Sequence, residues 1–248
     1  MSVLVLGSIN MDLVARTPRL PTPAETITGH EFFTAAGGKG ANQAVAAAKL
    51  NVATQMFGRV GGDGFGQDLI QSLEADGVDV LAVAVDPEVS SGVAIIAVDD
   101  QAQNSIIIVP GANGRVGQPE LDKLAAHLAK ARVLLLQLEI PLDVTHAAAE
   151  IAQQQGVTVI LDPAPAGSLP LELYSTVDII TPNEIEAAQL VGVPVQSRDE
   201  AYTAADQLLQ RGVKTAVIKL GAKGVVFATE DGNRGHVPAF PVRAVDTV

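Results

Sequence analysis

Short unbroken apolar runs recur along the chain, separated by stretches whose apolar residues stand three and four apart, and this alternation constrains the fold more than any other feature. Val3-Leu4-Val5-Leu6 stops at Gly7, and further strands are expected at the largely apolar segments 133–138, 158–161, 177–180 and 215–218 and at 54–57. An apolar run without polar interruption fits a strand covered on both faces, as in a parallel sheet. Helices follow from the spacing of Leu121, Leu124, Ala125 and Leu128, of Val144, Ala147, Ala148 and Ile151, and of Ala201, Ala204, Ala205, Leu208 and Leu209. An alanine-rich helix is expected over 41–50. Strand and helix in turn predict an α/β fold with a doubly wound, mostly parallel central sheet flanked by helices. Ligands of such folds bind beyond the carboxyl ends of the strands.

Two regions break the rhythm. Residues 13–34 carry Pro18, Pro21 and Pro23 before Thr26-Ile27-Thr28, and residues 92–109 carry two β-rich runs around the polar turn 99–104. Neither has a helical period, so they are predicted as antiparallel strands of a small β-sheet lid inserted in one domain spanning 1–248. An edge extension of the central sheet is the alternative. Closure of a lid over substrate excludes water, and the same segments offer a contact for a homodimer.

With 48% hydrophobic residues among 248 the chain can bury a large core, yet no apolar run approaches the roughly 20 residues a membrane helix needs. Met1-Ser2-Val3-Leu4 lacks the basic start of a signal peptide. Without cysteine there is neither disulfide nor thiolate metal site, which suits a reducing, cytoplasmic setting. The net charge of −12 has the wrong sign for nucleic-acid binding. A polyanionic ligand would therefore be held locally, by helix N-terminal amides and a few lysines. The four histidines show no zinc-like spacing.

Three segments could carry chemistry. Asn10 and Asp12 follow the first strand, and residues two apart in extended chain face the same way, so an amide and a carboxylate could hold vicinal hydroxyls; a pair of turn-forming residues is equally open. Gly37-Gly38-Lys39-Gly40-Ala41-Asn42-Gln43 opens the helix at 41–50, with glycines that let backbone approach a ligand. It is no P-loop, because no Ser or Thr follows Gly-Lys, and a tight turn into a packed helix remains the alternative. Glu139 stands just past the run 133–138, where it places a carboxylate at the crevice.

Gly37–Ala44, Gly58-Arg59-Val60-Gly61-Gly62-Asp63-Gly64-Phe65-Gly66, Asp162-Pro163-Ala164-Pro165, Thr181-Pro182-Asn183-Glu184-Ile185-Glu186, Leu220-Gly221-Ala222-Lys223-Gly224 and Asp246-Thr247 resemble, in order and along the whole chain, the motifs of the ribokinase family of carbohydrate kinases. The resemblance implies ATP-dependent phosphorylation of the terminal hydroxyl of a pentose, D-ribose first, with another sugar or a nucleoside, or sugar binding without catalysis, as alternatives. It puts the sugar against Asn10, Asp12, Gly38, Lys39, Asn42 and Glu139. It puts Asn183 near the ATP phosphates, Glu186 on Mg²⁺ through its water shell, and Lys219, Gly221, Ala222 and Gly224 in the nucleotide loop. Lys219 and Ala222 replace the family's commoner hydroxyl residues. Asp246 and the carbonyl of Val248 are implied as ligands of a monovalent cation, K⁺. The family's catalytic aspartate belongs to a Gly-Ala-Gly-Asp element following the position of Val248, so the C-terminal part of the family fold is expected beyond the chain and no residue of 1–248 is assigned as the base.

Overall fold

A computed structural model describes residues 2–241. The expectations for Asp246 and Val248 lie outside the described residues. The chain divides into two compact units, Met1–Val157 and Thr158–Val248.

The first unit contains, in order, β1 (Ser2–Leu6), β2 (Asn10–Thr17), β3 (Glu31–Gly37), α1 (Lys39–Lys49), β4 (Ala53–Phe57), β5 (Arg59–Gly61), α2 (Gly64–Ala75), β6 (Ala84–Asp86), β7 (Gly92–Asp99), β8 (Asn104–Val109), α3 (Gln118–Leu128), β9 (Val133–Leu136) and α4 (Leu142–Gln154). β1 runs parallel between β4 and β9, with Val5 and Leu6 wholly buried, as its unbroken apolar run requires. Full burial of one such side chain contributes about 1.5–3 kcal/mol. Ala41 and Ala44 let α1 approach closely, and they share one cluster with Val5, Ile9, Met11, Met56 and Leu69. That core fixes the turn after β1 against the start of α1.

The second unit contains β10 (Thr158–Leu161), α5 (Leu171–Tyr174), β11 (Ile179–Ile180), α6 (Glu184–Val191), α7 (Arg198–Gln210), β12 (Thr215–Lys219), β13 (Val225–Thr229) and β14 (Arg234–Val237). β10, β11 and β12 are parallel, while β13 and β14 return antiparallel around the turn 230–233. The fold class is the expected mixed α/β, with a large, mostly parallel sheet flanked by helices and a smaller separate sheet.

The smaller sheet has the order β3-β2-β7-β8 and corrects the sequence reading in three respects. It starts at Asn10 and reaches Gly37, so the polar residues assigned to the end of the first strand belong to the small sheet instead. β2 pairs with β7 in parallel, although β2 with β3 and β7 with β8 are antiparallel. Thr26-Ile27-Thr28 is not a strand. One face of the sheet closes over Val14, Ala94 and Ile96, whereas β8 is exposed along its whole length.

Three smaller boundaries also move. β9 ends at Leu136 rather than 138, because Gln137 turns inward to donate from Nε2 to Gln43 Oε1 at 2.5 Å. β11 is confined to Ile179–Ile180, and α1 starts two residues before 41.

Candidate functional site

In the first unit the chain leaves β1 through Gly7-Ser8-Ile9 and enters β2 with Asn10, which is 3% exposed. Asp12 follows two residues later on the same face of the strand. Its carboxylate lies over Gly37, where a Cβ would come within 2.7 Å of Asp12 Cγ. Burial, and then the negative charge of Glu139 nearby, push the Asp12 carboxyl up to about 6. The two carboxylates thus lie near enough to repel each other.

The first turn of α1 supplies the counterweight. Gly38, its N-cap, has φ 93, and a Cβ there would meet Asn10 N at 2.7 Å and Ser8 O at 2.9 Å. Only glycine meets both demands without strain. The Lys39 N–H donates to Glu139 Oε2 at 3.1 Å, and Ser8 Oγ donates to the same oxygen at 2.6 Å. The Gly40 N–H in turn donates to Ser8 Oγ at 3.3 Å. A carboxylate at a helix N-terminus is favoured by the orphan amides and the helix dipole together. The Lys39 ammonium has no ion-pair partner among the described residues.

Of the six residues expected at the sugar, the structure gathers Asn10, Asp12, Gly38, Lys39 and Glu139 around this helix start. Asn42 sits on the exposed side of α1, tied in through its backbone N–H to Gly38 O at 2.8 Å. Sequence reasoning missed Ser8, which links Glu139 to the helix, and the buried Asn113, which binds Ile9 and Asn10. Ser8 stands between the first apolar run and Asn10; Asn113 acts across 103 residues and leaves no periodic signal.

The second unit gathers the remaining candidates. Asn183 caps α6, its Oδ1 accepting from the Glu186 N–H at 2.8 Å while Glu186 Oε2 accepts from the Asn183 N–H at 2.7 Å. This is a reciprocal capping box. Among the described residues it leaves Asn183 Nδ2 and Glu186 Oε1 without a partner. A phosphate oxygen could accept from the first and a metal-bound water could donate to the second. Among the described residues no group of three or more His, Cys, Asp or Glu forms a metal cage. A Mg²⁺ that keeps its waters and takes one carboxylate is compatible with this donor set.

Lys219 ends β12 with its ammonium 2.8 Å from Asp162 Oδ1. Lys223 lies 3.4 Å from Glu184 Oε1 and donates to Gln196 O at 3.0 Å. Both lysines are therefore partly neutralised. Gly221 and Ala222 lie exposed in the 3-10 turn Gly221–Lys223, and Gly224 is buried behind it.

The family model described as pfkB family carbohydrate kinase matches residues 1–248. A ribokinase of Haemophilus influenzae is 41% identical over 246 residues, covering 99% of this chain and 80% of its own. A deoxyribokinase of Salmonella typhi is 40% identical over 248 residues, covering 100% of this chain and 81% of its own. The structure of the Arabidopsis thaliana ribokinase complexed with ribose and ATP superposes with a TM-score of 0.89 at 34% identity, over 98% of this chain and 79% of that one.

Proposed function

Because the chain belongs to the pfkB family of carbohydrate kinases, phosphotransferases that act on an alcohol group, we propose that it transfers the γ-phosphoryl group of ATP to the terminal hydroxyl of D-ribose, giving ribose 5-phosphate. The observation that carries the sugar assignment is the half-buried Asp12 carboxylate beside Asn10 and Glu139 at the start of α1. A partly desolvated pocket rich in acceptors suits a polyol, whose hydroxyls each donate one hydrogen and replace the water the carboxylates have lost. The deoxyribokinase relative at 40% identity favours 2-deoxyribose as a second substrate.

In this reading Asn10, Asp12, Gly38, Lys39, Asn42 and Glu139 bind and orient the sugar. Asn183 donates to the ATP phosphates, and Lys219, Gly221, Ala222 and Gly224 line the nucleotide loop. Phosphoryl transfer asks mainly for alignment and charge neutralisation. Mg²⁺ would supply that neutralisation, with Glu186 Oε1 accepting from its water shell, and K⁺ is assigned to Asp246 and Val248.

Residues 13–34 and 92–109 act as the lid. Ile106, Ile107, Ile108 and Val109 on the edge strand β8, with Phe32 and Ile95, leave apolar surface uncovered, and an exposed apolar edge strand is a ready pairing surface. A second copy of the chain is the partner we assign to it. Among the described residues no helix is long and apolar enough to cross a membrane, and the chain has no cysteine, so the reading places the protein in the cytoplasm.

The assay is ADP release with a panel of pentoses, hexoses and nucleosides. Ribose-dependent release is expected, and turnover only with nucleosides would overturn the sugar.

A further inference from the structure

Asn113 lies in the 3-10 turn Gly111–Arg115, is 1% exposed, and has no role in the function argued above. Its amide grips the residue before Asn10 from two sides. Oδ1 accepts from the Ile9 N–H at 2.9 Å, and Nδ2 donates to the Ile9 carbonyl at 3.1 Å. Those partners settle which end of the amide is oxygen, because a peptide N–H only donates and a peptide carbonyl only accepts. The other hydrogen of Nδ2 goes to Asn10 at 2.7 Å, so the atom of Asn10 that it meets must be Oδ1. The Asn10 NH₂ is consequently the end that Asn113 leaves unheld, and it has no acceptor among the described residues. Gly92, opposite Asn10 in the β2–β7 pairing, keeps the arrangement tight, since a Cβ there would collide with Asn113 Nδ2 and Asn10 Oδ1 alike.

We propose that Asn113 is a positioning residue that locks Asn10 as a hydrogen-bond donor, so that Asn10 and Asp12 together select a sugar hydroxyl that accepts from one and donates to the other. The inference rests on the sugar reading of this pocket. A hydroxyl has one hydrogen and two acceptor lone pairs, and an ionised carboxylate only accepts. An Asn10 presenting Oδ1 would compete with Asp12 for that single hydrogen, leaving one buried acceptor unpaired. Locked by Asn113, the pair offers one donor and one acceptor, which is what a hydroxyl can satisfy. A sugar lacking that hydroxyl leaves both groups unpaired, and a site built on such groups discriminates strongly against the deoxy analogue.

The test measures Kd by calorimetry for D-ribose, 2-deoxy-D-ribose and 3-deoxy-D-ribose in the unmodified protein, in Asn113→Leu, in Asn10→Ala and in the double variant, with melting curves as the check on folding. Ribose affinity should fall at least ~10-fold in Asn113→Leu, while the deoxy sugar that lacks the selected hydroxyl binds variant and parent within about 3-fold. Adding Asn113→Leu to Asn10→Ala should cost no further affinity, because the effect passes through Asn10. Equal losses for all three sugars would reveal a merely structural residue and overturn the proposal, as would a full additional loss in the double variant. Asn113→Ser serves for the same comparison if leucine prevents folding. An unmodified protein that binds none of the three sugars would overturn the pentose function itself, an outcome separable from a parent that binds but shows no coupling.

Discussion

Lowering the pH should switch off sugar binding in a window set by Asp12. Its carboxyl is pushed from 3.8 to about 6, first by burial and then by the charge of Glu139. Only the ionised form accepts from two hydroxyls, so the apparent Kd scales as one plus ten raised to the difference between pKa and pH. That factor is close to one at pH 7 and about 11 at pH 5, so ribose should bind ~10-fold more weakly across those two units. The sign for stability is opposite to that of a salt-bridged carboxylate: with the folded value raised, the free protein loses stability as pH climbs from 3.8 towards 6. Two units correspond to roughly 3 kcal/mol, and half-exposure reduces the usable amount to about 1 kcal/mol. Asp12→Asn should accordingly melt slightly higher at pH 7 while losing ribose. Glu139→Gln keeps an oxygen for Ser8 and Lys39 but removes the charge, so it should move the binding midpoint down without returning it to 3.8. Calorimetric titration of ribose from pH 8 to pH 5 measures both. A level Kd over that range, or a midpoint unmoved by Glu139→Gln, would refute the reasoning.

Gly38→Ala forces a side chain into a left-handed conformation against Asn10 N and Ser8 O, a strain of about 1–3 kcal/mol, and should both lower the melting temperature and weaken ribose binding. Asn183→Ala removes the N-cap of α6 and its Nδ2 donor; a loss of about 1 kcal/mol, or roughly 2–4 °C by scanning calorimetry, should accompany weaker ATP binding with ribose affinity unchanged. Replacing Ile107, 60% exposed on β8, with lysine should shift gel-filtration elution to the monomer while leaving ribose binding in place, and an unchanged dimer would remove the lid edge from the interface.

The alternation of apolar runs and helical spacing was sufficient for the architecture because burial on both faces leaves its mark on each segment separately. Val3-Leu4-Val5-Leu6 needs no partner to read as a covered strand, and Ala201, Ala204, Ala205 and Leu208 all turned inward as spaced. Pairing direction is different, since it depends on which distant strand arrives alongside. Nothing local in 10–17 reveals that β7 joins it in parallel, and an alternating pattern looks the same in either direction. The site divides in the same way. Asn10, Asp12, Lys39 and Glu139 were legible because polar groups follow directly on glycine turns or apolar runs. Asn42 was drawn from the motif, and only its backbone joins the turn. Ser8 and Asn113 act through hydrogen bonds 131 and 103 residues away, so single-sequence patterning has no handle on them. Asn183 and Glu186 kept both meanings open, and the capping box shows why: the structural bonds occupy Oδ1 and Oε2 and, among the described residues, leave Nδ2 and Oε1 without a partner.

Titration of the protein with D-ribose by calorimetry, alongside Asp12→Ala, tests the central claim most directly because it needs neither nucleotide nor turnover. One saturable site is predicted, weakened in Asp12→Ala by about 10- to 150-fold, the equivalent of losing a charge-assisted hydrogen bond worth about 1.5–3 kcal/mol, with ATP affinity unaffected. Absence of ribose binding, or binding that Asp12→Ala leaves intact, would contradict the assignment of this pocket to a sugar.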